Sequence, residues 1–258
     1  PWKRAVPPSQ RYLLEGKFMG EEIIQGHGPL LSQYYSYGDG QKQEGDEEHI
    51  HGDPNRLVEA QWGSFGVYDF ISEGDSPAFL HLIDVGLDNL EHPHWGGWGG
   101  RLVQSTSQPN RWEDGVGVLD FNPYTDTLDA TYPQIRWIEA LQYDFAARAD
   151  WCVRDFAQAN HPPVIRPLGE VRRVATPGEK LTLEVATSDP DGDNLTTHFW
   201  LYSEVGTYLG KPLLDQKENC LIIQLDPEST GELHVIASVK DDGEHSMVRY
   251  QRFVIQVN

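Results

Sequence analysis

The sequence predicts two units in tandem, an α/β segment over residues 1–160 and an all-β sandwich over residues 161–258. Three observations carry this prediction. Phe79-Leu80-His81-Leu82-Ile83-Asp84-Val85 is a short apolar run closed by Gly86, the pattern of a strand buried on both faces of an α/β sheet. Ile135, Ile138, Leu141, Phe145, Ala149, Cys152 and Phe156 recur at spacings of three and four behind Pro133, which predicts a long amphipathic helix with a proline in its first turn. Beyond Pro163 the chain breaks into short β-rich runs separated by turn residues.

Upstream, Leu13, Leu14, Phe18, Ile23 and Ile24 suggest a helix interrupted near Gly16 and Gly20 and stopped by Gly26-His27-Gly28-Pro29. Residues 36–53 are rich in Gly, Gln, Asp and Glu and read as a surface loop. After the predicted strand, Glu91-His92-Pro93-His94-Trp95-Gly96-Gly97-Trp98-Gly99-Gly100-Arg101 holds too much glycine for regular structure and too much tryptophan for an idle linker. It follows the carboxyl end of the strand, the edge where α/β sheets place their ligands.

Asn160-His161-Pro162-Pro163 ends the helix, because a residue before proline resists αR geometry and paired prolines make a stiff joint. Beyond that boundary, residues 180–185, 197–202, 220–225, 233–239 and 252–257 alternate or run β-rich. Pro177-Gly178, Asp189-Pro190-Asp191-Gly192-Asp193-Asn194, Asp226-Pro227 and Asp241-Asp242-Gly243 punctuate them at sandwich-like intervals, which predicts an immunoglobulin-like module.

Composition narrows the function. With 40 acidic and 20 basic residues the formal net charge is −20, which repels a phosphate backbone and argues against nucleic acid. The field suits a neutral ligand, a polysaccharide or a divalent cation, although acidity also serves solubility alone. No apolar run approaches the roughly 20 residues a spanning helix needs, so no membrane partner is expected. Cys152 and Cys220 fall on opposite sides of the joint and are expected to be unpaired. Pro1-Trp2-Lys3-Arg4 leads into polar sequence without a signal-peptide core, and the chain is expected to begin within a domain.

Several segments in order resemble one bacterial family of secreted proteins, with a nucleoside-hydrolase-like domain followed by an Ig-like domain and in some cases described as cellulose-binding. They are residues 26–30, Ser72-Glu73-Gly74-Asp75-Ser76-Pro77-Ala78-Phe79-Leu80, Trp95-Gly96-Gly97-Trp98-Gly99-Gly100-Arg101, and residues 144–148 through Trp151-Cys152 to Pro163. The resemblance implies a Rossmann-like α/β fold, calcium as the candidate cofactor, and secreted or periplasmic localisation. It also implies a metal-binding aspartate cluster upstream of Pro1, so that a missing N-terminal half would complete the domain. A carbohydrate or nucleoside-like small molecule is the implied ligand.

The candidate substrate-binding residues are Trp95, Trp98 and Arg101, with Glu91, His27, Glu73 and Asp75 around them. Flat indoles stack on sugar faces, glycines let backbone amides approach hydroxyls, and a guanidinium donates a planar fork of hydrogen bonds. The same loop also serves as a tight turn wedged against a sheet, and Glu73 and Asp75 as helix caps. Asp84 is a candidate metal ligand at the strand end. His49-Ile50-His51 and His92-Pro93-His94 are H-x-H pairs whose extended geometry aims two imidazoles one way. Asp189, Asp191 and Asp193, with the Asn194 amide, surround a glycine turn that fits calcium or a turn alone. Two functions are therefore open: hydrolysis of a glycosidic or N-ribosidic bond by the full-length protein, with this chain as the substrate-facing wall, or non-catalytic polysaccharide binding.

Overall fold

Residues 80–114, 117–130 and 132–258 are described by the structure, a computed structural model. Two four-stranded sheets form its centre. Short apolar alternation in β5 (Val164–Pro167), β7 (Lys180–Ser188), β9 (Leu213–Lys217) and β10 (Cys220–Gln224) builds a sheet of order β5-β7-β10-β9. The facing sheet, of order β6-β12-β11-β8, takes β6 (Arg172–Ala175), β8 (Leu195–Leu201), β11 (Gly231–Asp241) and β12 (Val248–Val257). All pairings are antiparallel except β6 with β12.

Period-two geometry aims Leu181, Leu183 and Val185 of β7, and Leu221 and Ile223 of β10, toward Phe199, Val235, Ala237, Phe253 and Ile255 of the opposite sheet. Each large apolar side chain so buried contributes roughly 1.5–3 kcal/mol of transfer free energy. The expected turns close the strands. At residues 189–193, Asp189 Oδ1 accepts the amide hydrogens of Asp191 (2.8 Å) and Asp193 (3.2 Å) while Gly192 adopts φ +85°.

β11 and β12 are buried on both faces, because the chain before the joint covers the outer side of their sheet. Leu80, Val85, Leu87, Trp98, Trp137, Ile138 and Leu141 form a second core with Tyr202, Ile236 and Tyr250. This segment consists of the hairpin β1 (Leu102–Gln104) with β2 (Trp112–Asp114), the hairpin β3 (Asp120–Asn122) with β4 (Thr127–Asp129), a short helix α1 (Tyr132–Ile135) and the helix α2 (Ile138–Trp151). Docking is tight at Gly86, where φ is +92° and the Tyr250 amide donates to the Val85 carbonyl at 2.8 Å.

Two expectations are corrected here. Residues 80–85 form no strand: after Leu80 the chain turns, the Ile83 amide reaches the Leu80 carbonyl (3.4 Å), and Leu82 is 67% exposed. Apolar content was read as strand where it anchors a turn, since Leu80, Val85 and Leu87 plug the second core individually. The helix is also divided, into α1 and α2, and its buried face is not the expected stripe. Ile138, Leu141, Asp144 and Ala147 face inward, whereas Phe145 and Phe156 are exposed. Ionic anchoring decides the rotation: buried Asp144 pairs with Arg148 and with Arg249 of β12 (3.1 Å). Both cysteines are free thiols.

A Cβ at position 86 would overlap the Tyr250 carbonyl oxygen, and L side chains disfavour φ +92°. Gly86→Ala is expected to lower stability by roughly 2 kcal/mol or more, read as a lower urea midpoint with an unchanged slope.

Candidate functional site

On the outer face of the β8-β11-β12 sheet, alternation aims Thr196, His198 and Trp200 of β8 away from the sandwich core. Cross-strand register sets Lys240, Ser238 and Ile236 of β11 opposite them, and β12 adds Tyr250 opposite Ser238 and Val248 opposite Lys240. Helix α2 runs along this surface without closing onto it. The result is an open groove of about 790 Å³, with the partly exposed Trp200 and Tyr143 on its walls, the buried Trp137 and Tyr250 behind them, and Glu139, Thr196, His198, Ser238, Lys240 and Asp242 as polar positions.

The aromatic wall is held rigidly. Trp137 packs against Trp200 (centroids 5.9 Å), Tyr202 (6.0 Å) and Tyr250 (5.5 Å), and its indole N–H donates to the Pro133 carbonyl at 3.0 Å. The Arg136 guanidinium lies 4.2 Å from the Tyr202 ring and 5.1 Å from that of Trp200. Lys240 sits over the Tyr143 ring (5.3 Å) and pairs with Glu139 at 3.4 Å. Trp200 is half-buried, leaving part of its indole to a ligand.

Beneath the groove lies a buried charge cluster. Asp120, fully buried, pairs with Arg101 (2.6 Å) and Arg136 (2.7 Å) and accepts the Tyr202 hydroxyl hydrogen at 2.8 Å. Burial pushes the Tyr202 hydroxyl further above neutrality than an ordinary tyrosine, so it stays protonated as a donor to Asp120.

The glycine-tryptophan loop sits at the other end of the same sheet face. Trp95 is 5% exposed and Trp98 1%, so neither indole offers a face to a sugar. This corrects the expected sugar platform, and the physical reason is Arg252. Its guanidinium, buried in β12, donates to the carbonyls of Leu87 (2.8 Å), Trp95 (3.0 Å) and Gly96 (3.1 Å) and to His234 Nδ1 (3.1 Å). Glycine is needed at position 96, where φ is +81° and a Cβ would strike the Tyr202 hydroxyl, and Gly97 and Gly100 close a tight turn on each other. Arg101, the expected hydroxyl donor, is committed to Asp120 and to the carbonyls of Glu204 (3.2 Å) and Leu119 (3.1 Å).

Two family models match the chain: residues 3–102 match "Cellulose-binding Sde182, nucleoside hydrolase-like domain", and residues 180–257 match "Cellulose-binding protein Sde0182, C-terminal domain". The chain belongs to the family these models describe. A nucleoside hydrolase-related hypothetical protein from Saccharophagus degradans, associated with carbohydrate metabolism, is a structural neighbour at 28% identity and TM-score 0.58, over 73% of this chain and 48% of that one. The chain thus spans about half the length of that protein. The titin domains M7 and M1 match at TM-scores of 0.26 and 0.25 with 13% and 11% identity, each over 38% of this chain and 96% of the domain. No curated protein matches.

Asp84 is a candidate metal ligand by sequence, and the structure gives that residue no fit. Its carboxylate is exposed, accepts the Gly86 amide hydrogen at 3.0 Å, and joins no group of three ligating side chains among the described residues. Glu91 is likewise exposed. His92 and His94 do not form a metal pair: His92 stacks on Trp95 (3.7 Å) and accepts from Arg172 at 2.8 Å, while His94 stacks on Trp112 (5.8 Å). His27, His49, His51, Glu73 and Asp75 lie outside the described residues. The Asp189, Asp191 and Asp193 carboxylates do converge, but Asn194 turns away to bond Asp242.

The groove residues were missed. Their signal was present in Thr196-Thr197-His198-Phe199-Trp200 and Ser238-Val239-Lys240, where polar side chains interrupt the outward face of strands otherwise sealed on both sides. Finding it required knowing that α2 lies along that face.

The anchoring network is pH-sensitive through His234. Arg252 donates to its Nδ1, so the ring is neutral with its proton on Nε2, facing Glu232 Oε1 at 2.9 Å. Burial foremost, and the adjacent Arg252 and His94, depress its pKa to about 4 against the upward pull of Glu232. A base depressed in the folded state is protonated more readily in the unfolded chain, so stability is full above the unfolded pKa near 6.5 and is lost as pH falls toward 4. Acidifying from about pH 7 to about pH 5 is expected to remove about 2 kcal/mol through this residue. Urea midpoints of the wild type and His234→Gln at both pH values check it, the variant lacking that part of the slope.

Proposed function

We propose that this protein binds polysaccharide chains, cellulose-like glucans among them, along the groove between α2 and the β8-β11-β12 sheet. The single observation that carries the reading is the groove itself. It is open, it presents the partly exposed rings of Trp200 and Tyr143 backed by the buried rings of Trp137 and Tyr250, and it carries hydroxyl, imidazole and charged groups among its lining residues. Aromatic faces pack against the apolar faces of pyranose rings while polar neighbours take the hydroxyls, and rigid rings lose little freedom on binding. The family's cellulose-binding description and the neighbour's association with carbohydrate metabolism favour the same ligand class.

We assign the groove no hydrolytic chemistry. Its acidic neighbours are committed: Glu139 to Lys240, Asp144 to Arg148 and Arg249, and Asp241 to Asn160 (3.1 Å) and the Met247 amide (3.0 Å). Any hydrolysis would fall to the nucleoside hydrolase-like domain, whose model matches residues 3–102, and the groove then holds the polymer. We read the sandwich as immunoglobulin-like. Lettering β5, β7, β8, β9, β10, β11 and β12 as A to G reproduces the ABED and GFC sheets of that fold, with β6 added beside G.

Affinity electrophoresis through gels containing hydroxyethylcellulose, xylan or pectin tests the reading. Wild type is expected to be retarded by at least one polymer, with Trp200→Ala and Tyr143→Ala each weakening binding roughly tenfold, about 1.4 kcal/mol. Leu209→Ala, at an exposed residue outside the groove, should leave retardation unchanged. Free migration of the wild type on every polymer removes the polysaccharide reading; retardation unaltered in both groove variants removes the groove.

A further inference from the structure

We infer that the joint between α2 and the sandwich is a calcium-binding site, formed by the carboxylates of Asp189, Asp191 and Asp193 together with the Asn160 side-chain carbonyl. One carboxylate oxygen from each aspartate lies within 4.8 Å of the other two. Oxygens sharing one calcium at about 2.4 Å stand at most about 5 Å apart, so the three can hold a single ion.

A turn alone does not explain the fourth group. Asn160 comes from the joint, some thirty positions upstream, and its Nδ2 donates to Asp241 Oδ1 at 3.1 Å, which fixes the amide with Oδ1 pointing the other way. That oxygen is buried and accepts no hydrogen bond, and the same holds for Asp189 Oδ2. A Cβ built on Gly243 would run into both Asn160 Oδ1 and Asp193 Oδ2, so these two oxygens face one small space that glycine keeps open. Buried acceptors without donors cost about 1–3 kcal/mol each, and a cation satisfies several at once.

Among the described residues the basic partner of the three aspartates is the His161 ring, whose Nδ1 lies 3.0 Å from Asp191 Oδ1. Among the described residues no Lys or Arg pairs with Asp189 or Asp193, whereas the neighbouring Asp150 and Glu244 are neutralised by Arg154 (3.3 and 2.6 Å). A surface hollow of about 460 Å³ lined by Asn160, Asp191, Asp193, Gly243 and Glu244 gives the ion access and room for water ligands. All donors are hard oxygens, which selects calcium over softer metals, and the open, flexible set suits it better than the strict octahedron of magnesium.

The ion would tie the helix to the sandwich. Trp151, the last residue of α2, donates its indole N–H to the Asn160 backbone carbonyl at 2.7 Å, and the His161 amide donates to Asp191 Oδ2 at 2.6 Å. Trp151 is thereby placed to sensitise a lanthanide bound in calcium's stead.

Titrating the calcium-stripped full chain with terbium, exciting tryptophan, tests this directly. Sensitised emission saturating at one ion per chain and reversed by excess calcium is expected. Calcium at about 10 mM, near a hundredfold over an extracellular-type dissociation constant of about 0.1 mM, should raise Tm by roughly 5 °C, and magnesium at the same concentration much less. Asp189→Asn and Asp193→Asn, checked for native circular dichroism, should weaken terbium binding at least tenfold and lose the calcium shift. No saturable emission from the wild type, an equal shift with magnesium, or two folded variants that bind terbium as the wild type does would each overturn the site.

Discussion

A guanidinium buried among carbonyl oxygens holds the two halves of this molecule together. Arg252 enters from the centre of the β6-β12-β11-β8 sheet and, among the described residues, meets no carboxylate within hydrogen-bonding distance; its partners there are the carbonyls of Leu87, Trp95 and Gly96 and one nitrogen of His234. A buried cation so served costs desolvation that only several well-aimed acceptors offset, and burial accordingly depresses its pKa to about 10. The chain from Leu80 to Arg101 must therefore follow one path, presenting three carbonyls to one point. Five glycines and two inward-facing indoles are how the sequence meets that demand.

The same constraint divides the outer face of the sheet. At one end the glycine-tryptophan loop seals it, with Trp95 stacked between His92 and the Arg252 and Arg172 guanidinium groups. At the other, α2 is held off the sheet by its pairing with Arg249 and by the bulk of Trp137 and Tyr143, so that Trp200 and the polar positions beside it stay open. Closure at the loop and opening at the groove are two consequences of one docking geometry. The Asp120 cluster between them, with Arg101 from the loop and Arg136 from the groove wall, keeps the two ends in register.

Much of the sandwich was legible in the sequence, because residues 180–185, 220–225, 233–239 and 252–257 carry strong β preference and fall between Pro, Gly and Asp turns. β5 and β6 were not, being four residues each, and β9 was not, since an exposed edge strand shows no alternation. The family could be read as well, through ordered segments of which those up to Arg101 lie within the match of its first model, while residues 144–163 lie outside both matches. Site residues fared differently. Trp95, Trp98 and Arg101 were singled out for the right composition and the wrong environment, because glycine beside tryptophan serves close packing as readily as it serves a ligand. Local sequence says which groups are present; only Arg252, more than 150 positions away, says which side of the indoles is occupied.

That distance points to the more reliable signal in a chain of this kind. A strand buried on both faces should read as a continuous apolar run, and β11 does so from Val235 to Ala237, after Leu233 and the buried His234. It then turns polar at its outward positions, Ser238 and Lys240, while Val239 between them stays apolar, and β8 is polar outward at Thr196 and His198 before its outward Trp200. A covering element could not tolerate those side chains without partners, so the change from sealed to alternating within one strand marks where the cover lifts. An aromatic residue at that boundary has one face packed and the other wet, which is the condition a sugar-binding ring must satisfy and which Trp95 and Trp98 do not.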